Sequence, residues 1–259
     1  RENIELKRTD AAPTEMLGES AAFRTLISQL EKVTKSNGRV MLTGESGSGK
    51  ETAARYIHIN SDRGDMPFVS VNCASIEPDR MEEVLFGRET EGRGVEPGLL
   101  EDANGGVIYF DGVAEMPLGT QAKLLRVLVD QKFQRVGGVD RVQVDVRVIS
   151  STNKDLQVAI EAETFRQELY HRLNVVPIHV PSLEERREDI PLLAAHFIEE
   201  LDKSQGLGAR PLSDEAAALL QTMVWPGNAR QLKNVMERVL ILGDATGAIE
   251  AKELPTQSD

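Results

Sequence analysis

The chain is 259 residues long, 40% hydrophobic and 28% charged, with a net charge of −12 and a single cysteine. This is an ordinary globular composition, with material for one large domain or two unequal ones. The acidic balance excludes a chain that grips DNA by itself, because phosphate binding needs a basic surface. The lone Cys73 excludes an internal disulfide and fits a reducing compartment. With neither a signal peptide nor an apolar run long enough to span a bilayer, a cytoplasmic protein free of any membrane is expected.

Residues 1–17 are polar and patternless and read as a linker from an upstream domain. A helix is expected from Ser20 to Val33, with Leu26, Ile27 and Leu30 on one face. Val40-Met41-Leu42 reads as a short buried strand. It is followed by Gly44-Glu45-Ser46-Gly47-Ser48-Gly49-Lys50 and then by a helix from Thr52 to Ile59. Glycines in such a loop let backbone N–H groups close on an anion, and the helix N-terminus adds partial positive charge. Lys50 can reach the outer phosphates, which makes the segment a P-loop. The Ser or Thr that would bind Mg²⁺ after the lysine is here Glu51. The candidate nucleotide-binding run extends from Gly44 through Glu51 to Thr52.

Further along, Pro67 to Cys73 and Gly106 to Asp111 are strand candidates, the second ending in a carboxylate. Asp111, at the exposed end of a buried strand, can hold Mg²⁺ directly or through water; an unpaired carboxylate would be costly there. Gln121 to Val129 has helical spacing at Leu124, Leu125 and Leu128. Val144 to Ser151 alternates and then runs nearly continuous, as a half-covered strand would. Strands interleaved with helices predict an α/β fold, a parallel sheet flanked by helices.

After Pro181 the composition shifts, and nothing from Glu184 onward reads as a strand. Pro191 suits the first turn of a helix through Leu201, and Gln205 to Pro211 is a loop. Ser213 can cap a helix whose first turn carries Asp214 and Glu215. A last strong helix carries Leu232, Val235, Met236, Val239 and Leu240 on one face. The expected division is an α/β nucleotide-binding part over 18–183, a small all-helical lid over 184–249 and a linker over 250–259. Cys73 is expected in the core, and His58, His171, His179 and His196 show no metal-ligand spacing.

Taken together these segments resemble the central AAA+ domain of bacterial sigma-54 enhancer-binding proteins. Gly44 to Glu51 is that family's own form of the P-loop, so Glu51 is normal there. Val71-Asn72-Cys73, Glu83-Val84-Leu85-Phe86-Gly87, Leu100 to Gly106, Gln121 to Leu128 and Arg135-Val136-Gly137-Gly138 look like family signatures. Ser151-Thr152-Asn153-Lys154-Asp155-Leu156 matches the sensor I segment, Phe165 to Val175 the arginine-finger segment, and Trp225 to Leu232 sensor II. The resemblance runs from Leu17 to Leu242, and the order of the motifs along one chain makes it specific.

Two departures bear on activity. Active members carry a Gly-Ala-Phe-Thr-Gly-Ala loop that touches the sigma factor. Here Thr90 to Pro97 is shorter, lacks the motif and is expected to be a plain flexible loop. The strand ending at Asp111 should continue with a glutamate that orients the attacking water, but Gly112 stands there. The missing loop makes the chain look most like the NtrX-type branch of nitrogen response regulators. That branch implies a receiver domain with its histidine kinase upstream and a DNA-binding helix-turn-helix domain downstream.

The resemblance implies ATP or ADP with Mg²⁺ as cofactors, self-association as a dimer or hexameric ring, and no sigma-54 contact. Hydrolysis is expected to be weak or absent, with a slow oligomerisation-dependent ATPase as the alternative. Asn72 matches the residue that holds the missing glutamate, or is a strand polar group only. Asn153 faces the γ-phosphate by resemblance, or caps the next helix. Arg166 and Arg172 match fingers supplied to a neighbouring subunit, or belong to a salt-bridged surface helix. Arg230 opens the sensor II helix, where a cation opposes the dipole and an anionic partner such as ATP would explain it. Glu115 is expected at the edge of the next helix.

Overall fold

The computed structural model describes residues 15–90, 92, 94–243 and 246–255. The expected linker over 1–17 falls mostly outside the described residues, as do the last four residues of the expected linker at the other end. The chain divides into two compact units. One comprises Gln29–Thr43 and Glu51–Ile178; the other comprises Glu15–Ser28, Gly44–Lys50 and the residues from His179 onward.

The strands are β1 (Val40–Thr43), β2 (Phe68–Asn72), β3 (Arg88–Thr90), β4 (Gly94–Glu96), β5 (Val107–Asp111), β6 (Lys132–Gln134), β7 (Arg141–Gln143), β8 (Arg147–Thr152) and β9 (Val176–His179). The helices are α1 (Ala21–Thr34), α2 (Lys50–Ile59), α3 (Met81–Phe86), α4 (Leu99–Asp102), α5 (Leu118–Asp130), α6 (Leu156–Glu161), α7 (Gln167–Leu173), α8 (Ile190–Gln205), α9 (Asp214–Thr222) and α10 (Asn228–Leu242).

The first unit is built on a five-stranded sheet in the order β2-β5-β8-β1-β9. Its four neighbouring strands β2, β5, β8 and β1 run parallel. Parallel strands are covered on both faces and therefore read as continuous apolar runs; Val107 through Phe110 are all fully buried. The same rule corrects the reading of β8. The alternation holds over Val144, Asp145 and Val146, which precede the strand, and every residue from Arg147 to Thr152 is buried, so the strand is covered rather than half-covered. Even Arg147 is enclosed, with its guanidinium donating to the Val33 carbonyl at 2.8 Å. Burial lowers its pKa from the usual value.

In this register Asn72 lies opposite Asp111, Phe110 opposite Ser150, and Thr43 opposite Thr152. The carboxyl ends of four parallel strands thus share one edge, where α/β sheets bind ligands. Helix α5 begins at Leu118, three residues before the expected start, because Pro117 in an extended conformation precedes its first turn.

The stretch from Thr90 to Pro97, expected as a plain flexible loop, instead carries the end of β3 and all of β4, an antiparallel pair with Arg88 opposite Glu96 and Thr90 opposite Gly94. Its base is pinned: Glu89 N–H donates to Val136 O, and Val136 N–H to Gly87 O, each at 2.9 Å. Arg135 holds the Glu101 carboxylate through two hydrogen bonds of 2.9 and 2.6 Å, which raises the arginine pKa further.

The second unit is helical. Pro191 sits in the first turn of α8, which continues past the expected Leu201 to Gln205 and stops at Gly206 in the left-handed region. Ser213 Oγ accepts from Ala216 N–H at the start of α9, as expected. Leu232, Met236 and Val239 of α10 pack with Trp225, Leu220 and Ile198 in one core. Arg186 and Asp189 form a buried ion pair at 2.9 Å, and Asp189 also accepts from the Glu19 and Ser20 amides. Residues 250–255, expected as linker, contribute Glu253, paired with buried Arg210, and buried Leu254.

Candidate nucleotide-binding site

The phosphate loop belongs to the second unit. Gly47 has φ +75°, and a Cβ there would lie 2.2 Å from the Gly227 carbonyl oxygen. Both the backbone conformation and the close approach therefore require glycine. Gly44 is closed in the same way by the Val180 carbonyl, 2.4 Å from where its Cβ would stand. Lys50 opens α2 and is buried; its ammonium curls back to donate to the carbonyls of Gly44 at 2.9 Å and Glu45 at 2.7 Å. Ser48 Oγ is buried without a hydrogen-bond partner among the described residues. A buried hydroxyl in that state calls for a polar ligand. The loop's glycines, the helix start, the lysine and this orphan hydroxyl fit the phosphates of a nucleotide.

Asn228 is the residue that sequence reasoning missed here. It is fully buried and adopts φ +49° at the first position of α10. Its amide donates to Glu45 Oε2 at 2.9 Å and to Ser46 O at 3.1 Å, and its oxygen accepts from Leu183 N–H at 2.7 Å. Its place in the Trp225-to-Leu232 segment, two residues before Arg230, was the available signal. Arg230 is exposed and has no hydrogen-bond partner among the described residues. Its Cβ lies 3.2 Å from where one would stand at Gly47, so the cation rises beside the loop.

In the first unit, Glu51 follows Lys50 on α2 and forms an ion pair with Arg55 at 2.8 Å. Thr52 is half-buried on the next position. Asp111 Oδ1 accepts from Ser151 Oγ at 2.7 Å and from Tyr109 Oη at 3.3 Å. The single Tyr109 proton is shared with Ser151 Oγ, which lies nearer at 2.9 Å. Burial, and then the Asp111 charge, raise the Tyr109 pKa, so it stays a donor. These hydroxyls hold the carboxylate at the strand end, leaving Oδ2 for a cation. Mg²⁺ bound to phosphates needs only one or two carboxylates and otherwise keeps its water. Among the described residues no group of three or more His, Cys, Asp or Glu could hold a metal by itself.

Gly112, next in the chain, has φ +73° and ψ +50°. Val113–Glu115 form a separate 3₁₀ turn rather than the edge of α5, and Glu115 pairs with Lys154 at 2.6 Å. Lys154 was not foreseen from the sequence. Cys73 is buried, as expected, and burial first, then the charges of Asp111 and Glu115, push its thiol pKa up to about 12.

Asn72 lies beside Asp111, but its side chain accepts from its own turn, Ala74 N–H at 3.0 Å. Asn153 is exposed at the end of β8; the cap of α6 is Asp155, which accepts from Gln157 N–H at 2.8 Å. The capping alternative for Asn153 therefore falls. Arg166 and Arg172 are exposed, and neither forms an ion pair among the described residues. The salt-bridged helix therefore falls as an alternative for both. Arg166 Nε instead donates to the Leu118 carbonyl at 3.1 Å. Among the histidines, His58 is enclosed against the Met66 carbonyl at 2.9 Å and its pKa is lowered, mainly by burial. His179 pairs with Glu185 at 3.1 Å.

A parallel sheet with a P-loop after β1 and an aspartate at the end of β5, followed by a helical domain, defines a P-loop AAA+ protein with a lid. The chain belongs to the family described as the sigma-54 interaction domain, whose model matches residues 16–179. Residues 184–259 match the AAA+ ATPase lid domain. The nitrogen assimilation regulatory protein NtrX of Azorhizobium caulinodans is 48% identical over 98% of this chain and 57% of its own length. The crystal structure of NtrX from Brucella abortus in complex with ADP is also 48% identical, with a TM-score of 0.89 over 98% of this chain and 58% of that one. The structure of the same Brucella protein in complex with ATP has a TM-score of 0.87 over 97% of this chain and 58% of that one. The chain thus spans rather more than half the length of these relatives. Among the described residues no helix is long and apolar enough to cross a membrane.

Proposed function

We propose that this chain is the ATP-binding central part of a nitrogen-type response regulator, in which nucleotide controls self-association with little or no hydrolysis. One observation carries the reading: an intact phosphate loop coexists with Gly112, a residue without a side chain, where a water-orienting glutamate is needed. The nearest alternative carboxylate, Glu115, is engaged by Lys154. Phosphoryl transfer depends on positioning and charge stabilisation, so loss of the water-orienting group leaves binding possible and turnover slow.

In this reading Gly44 to Thr52 and Arg230 hold ATP or ADP, and Asp111 carries Mg²⁺. Asn153 senses the γ-phosphate. Arg166 and Arg172 reach a neighbouring subunit's nucleotide in a dimer or ring. The complexes of the Brucella relative with ATP and ADP support nucleotide binding. A receiver domain with its kinase upstream, a helix-turn-helix domain carrying DNA binding, and no sigma-54 contact complete the proposal. Arg166 and Arg172, exposed and without an ion-pair partner among the described residues, favour a second reading, a slow ATPase that turns over only when assembled and acts on sigma-54 polymerase.

ATP binding and hydrolysis measured on one sample with Mg²⁺, across protein concentrations, separate the two. Specific binding without turnover at any concentration supports the regulatory reading. Turnover that rises steeply with concentration overturns it in favour of the ATPase.

A further inference from the structure

Gln121 is a polar side chain with no exposed surface at the start of α5. Its carboxamide makes three hydrogen bonds to three separate backbone groups. The Nε2 group donates to Met116 O at 2.7 Å and to Thr164 O at 3.0 Å, and Oε1 accepts from Arg166 N–H at 2.8 Å. Met116 ends the turn that begins at Gly112, directly after Asp111. Thr164 and Arg166 lead into α7, with Arg166 the residue before the first turn. A second strut joins the same segments, since Arg166 Nε donates to Leu118 O.

We propose that Gln121 is a positioning residue that transmits the state of the Asp111–Gly112 strand end to Arg166. The inference rests on the proposed function, in which Asp111 carries the nucleotide's metal and Arg166 serves a neighbouring subunit. The physical argument is one of stiffness. A backbone group that moves away from this fully buried amide is left unpaired in the interior, which is costly. The turn from Gly112 to Met116 and the start of α7 are therefore displaced together rather than independently. Enclosed hydrogen-bond networks are among the elements that carry coupling between sites. A purely structural Gln121 would satisfy the same backbone groups but would leave α7 indifferent to what Asp111 binds.

Hydrogen exchange read at residues 164–170, with Mg²⁺·ATP, with Mg²⁺·ADP and without nucleotide, tests this on the whole chain. A parallel titration measures ATP affinity. In the unmodified protein, exchange in this segment is expected to differ between ATP and ADP by roughly fivefold or more, the lower range of coupling between sites. Gln121→Leu keeps the volume and removes all three hydrogen bonds. It is expected to raise basal exchange at 164–170 and to abolish the ATP–ADP difference, while ATP affinity changes by less than about threefold, well below that coupling. Gln121→Glu keeps the acceptor for Arg166 and removes both donated bonds; it is expected to retain the amide protection of Arg166 but lose its nucleotide dependence. If one variant fails to fold, the other decides the role of Gln121, and equal exchange with ATP and ADP in the unmodified protein overturns the inference without either.

Equal exchange with ATP and ADP, while both bind, overturns the inference and leaves the proposed function standing. Absence of ATP binding overturns both. A nucleotide-dependent difference that survives in Gln121→Leu overturns the role of Gln121 alone.

Discussion

The phosphate loop and the carboxyl end of β5 place different demands on sequence. The loop works through backbone: Gly44 and Gly47 close against carbonyls, Lys50 crosses the loop, and Asn228 and Glu45 brace it. The end of β5 works through side chains. There Asp111 is held by Ser151 and Tyr109, while Gly112 contributes nothing beyond its main chain. Binding a nucleotide and hydrolysing it are thus separable, because the first needs a cradle of amides and the second a single placed carboxylate.

The largest test of that contrast removes the cation from the loop. Lys50→Ala is expected to weaken ATP binding by up to roughly 10²-fold, since a charge-assisted contact to phosphate contributes about 1.5–3 kcal/mol. Calorimetric titration would read it, and affinity within threefold of the parent would refute the loop as the phosphate site.

Gly112→Glu probes the other end. A positioned group that handles the attacking water is worth on the order of 10²-fold or more in rate, so turnover is expected to rise by about that factor. The change also carries a cost, because a side chain at φ +73° is destabilising by roughly 1–2 kcal/mol. Space is available, as the nearest heavy atom to the new Cβ would be Glu115 Cγ at 3.8 Å. Phosphate release that stays at the parental level would show that more than this carboxylate is missing.

The smallest effect is structural. Asn228→Ala removes three hydrogen bonds and leaves the Leu183 amide unpaired, which is expected to destabilise the second unit by about 2 kcal/mol. Denaturant unfolding of the parent and the variant measures this. A change below about 0.5 kcal/mol would mean that water replaces the amide at no cost.

Much of this was legible in the chain. The P-loop announced itself through glycine spacing between an apolar run and a helix, and β5 through its unbroken apolar residues. Ser213 was readable as a cap because its hydroxyl satisfies a local amide, three residues away. What escaped depended on distant partners. Asn228 and Lys154 become meaningful only when Glu45 and Glu115 are beside them, and their separation along the chain gives no cue for Asn228. Asp155 rather than Asn153 caps α6, a choice between polar residues two positions apart that backbone geometry makes. Thr90 to Pro97 read as a plain loop because it is short and carries no family motif. It pairs as a hairpin because Val136 and the Arg135–Glu101 bridge anchor its base.

The sequence by itself determined the α/β class, the order of its motifs, the phosphate loop and the departure at Gly112, since each rests on local spacing or on one residue type. Only the tertiary structure decided that β8 is enclosed on both faces, that Asp111 is held by two hydroxyls, and that Gln121 ties Met116 to Arg166. Those outcomes depend on which buried polar groups meet across the fold. Burial makes each such meeting obligatory, yet no local pattern encodes it.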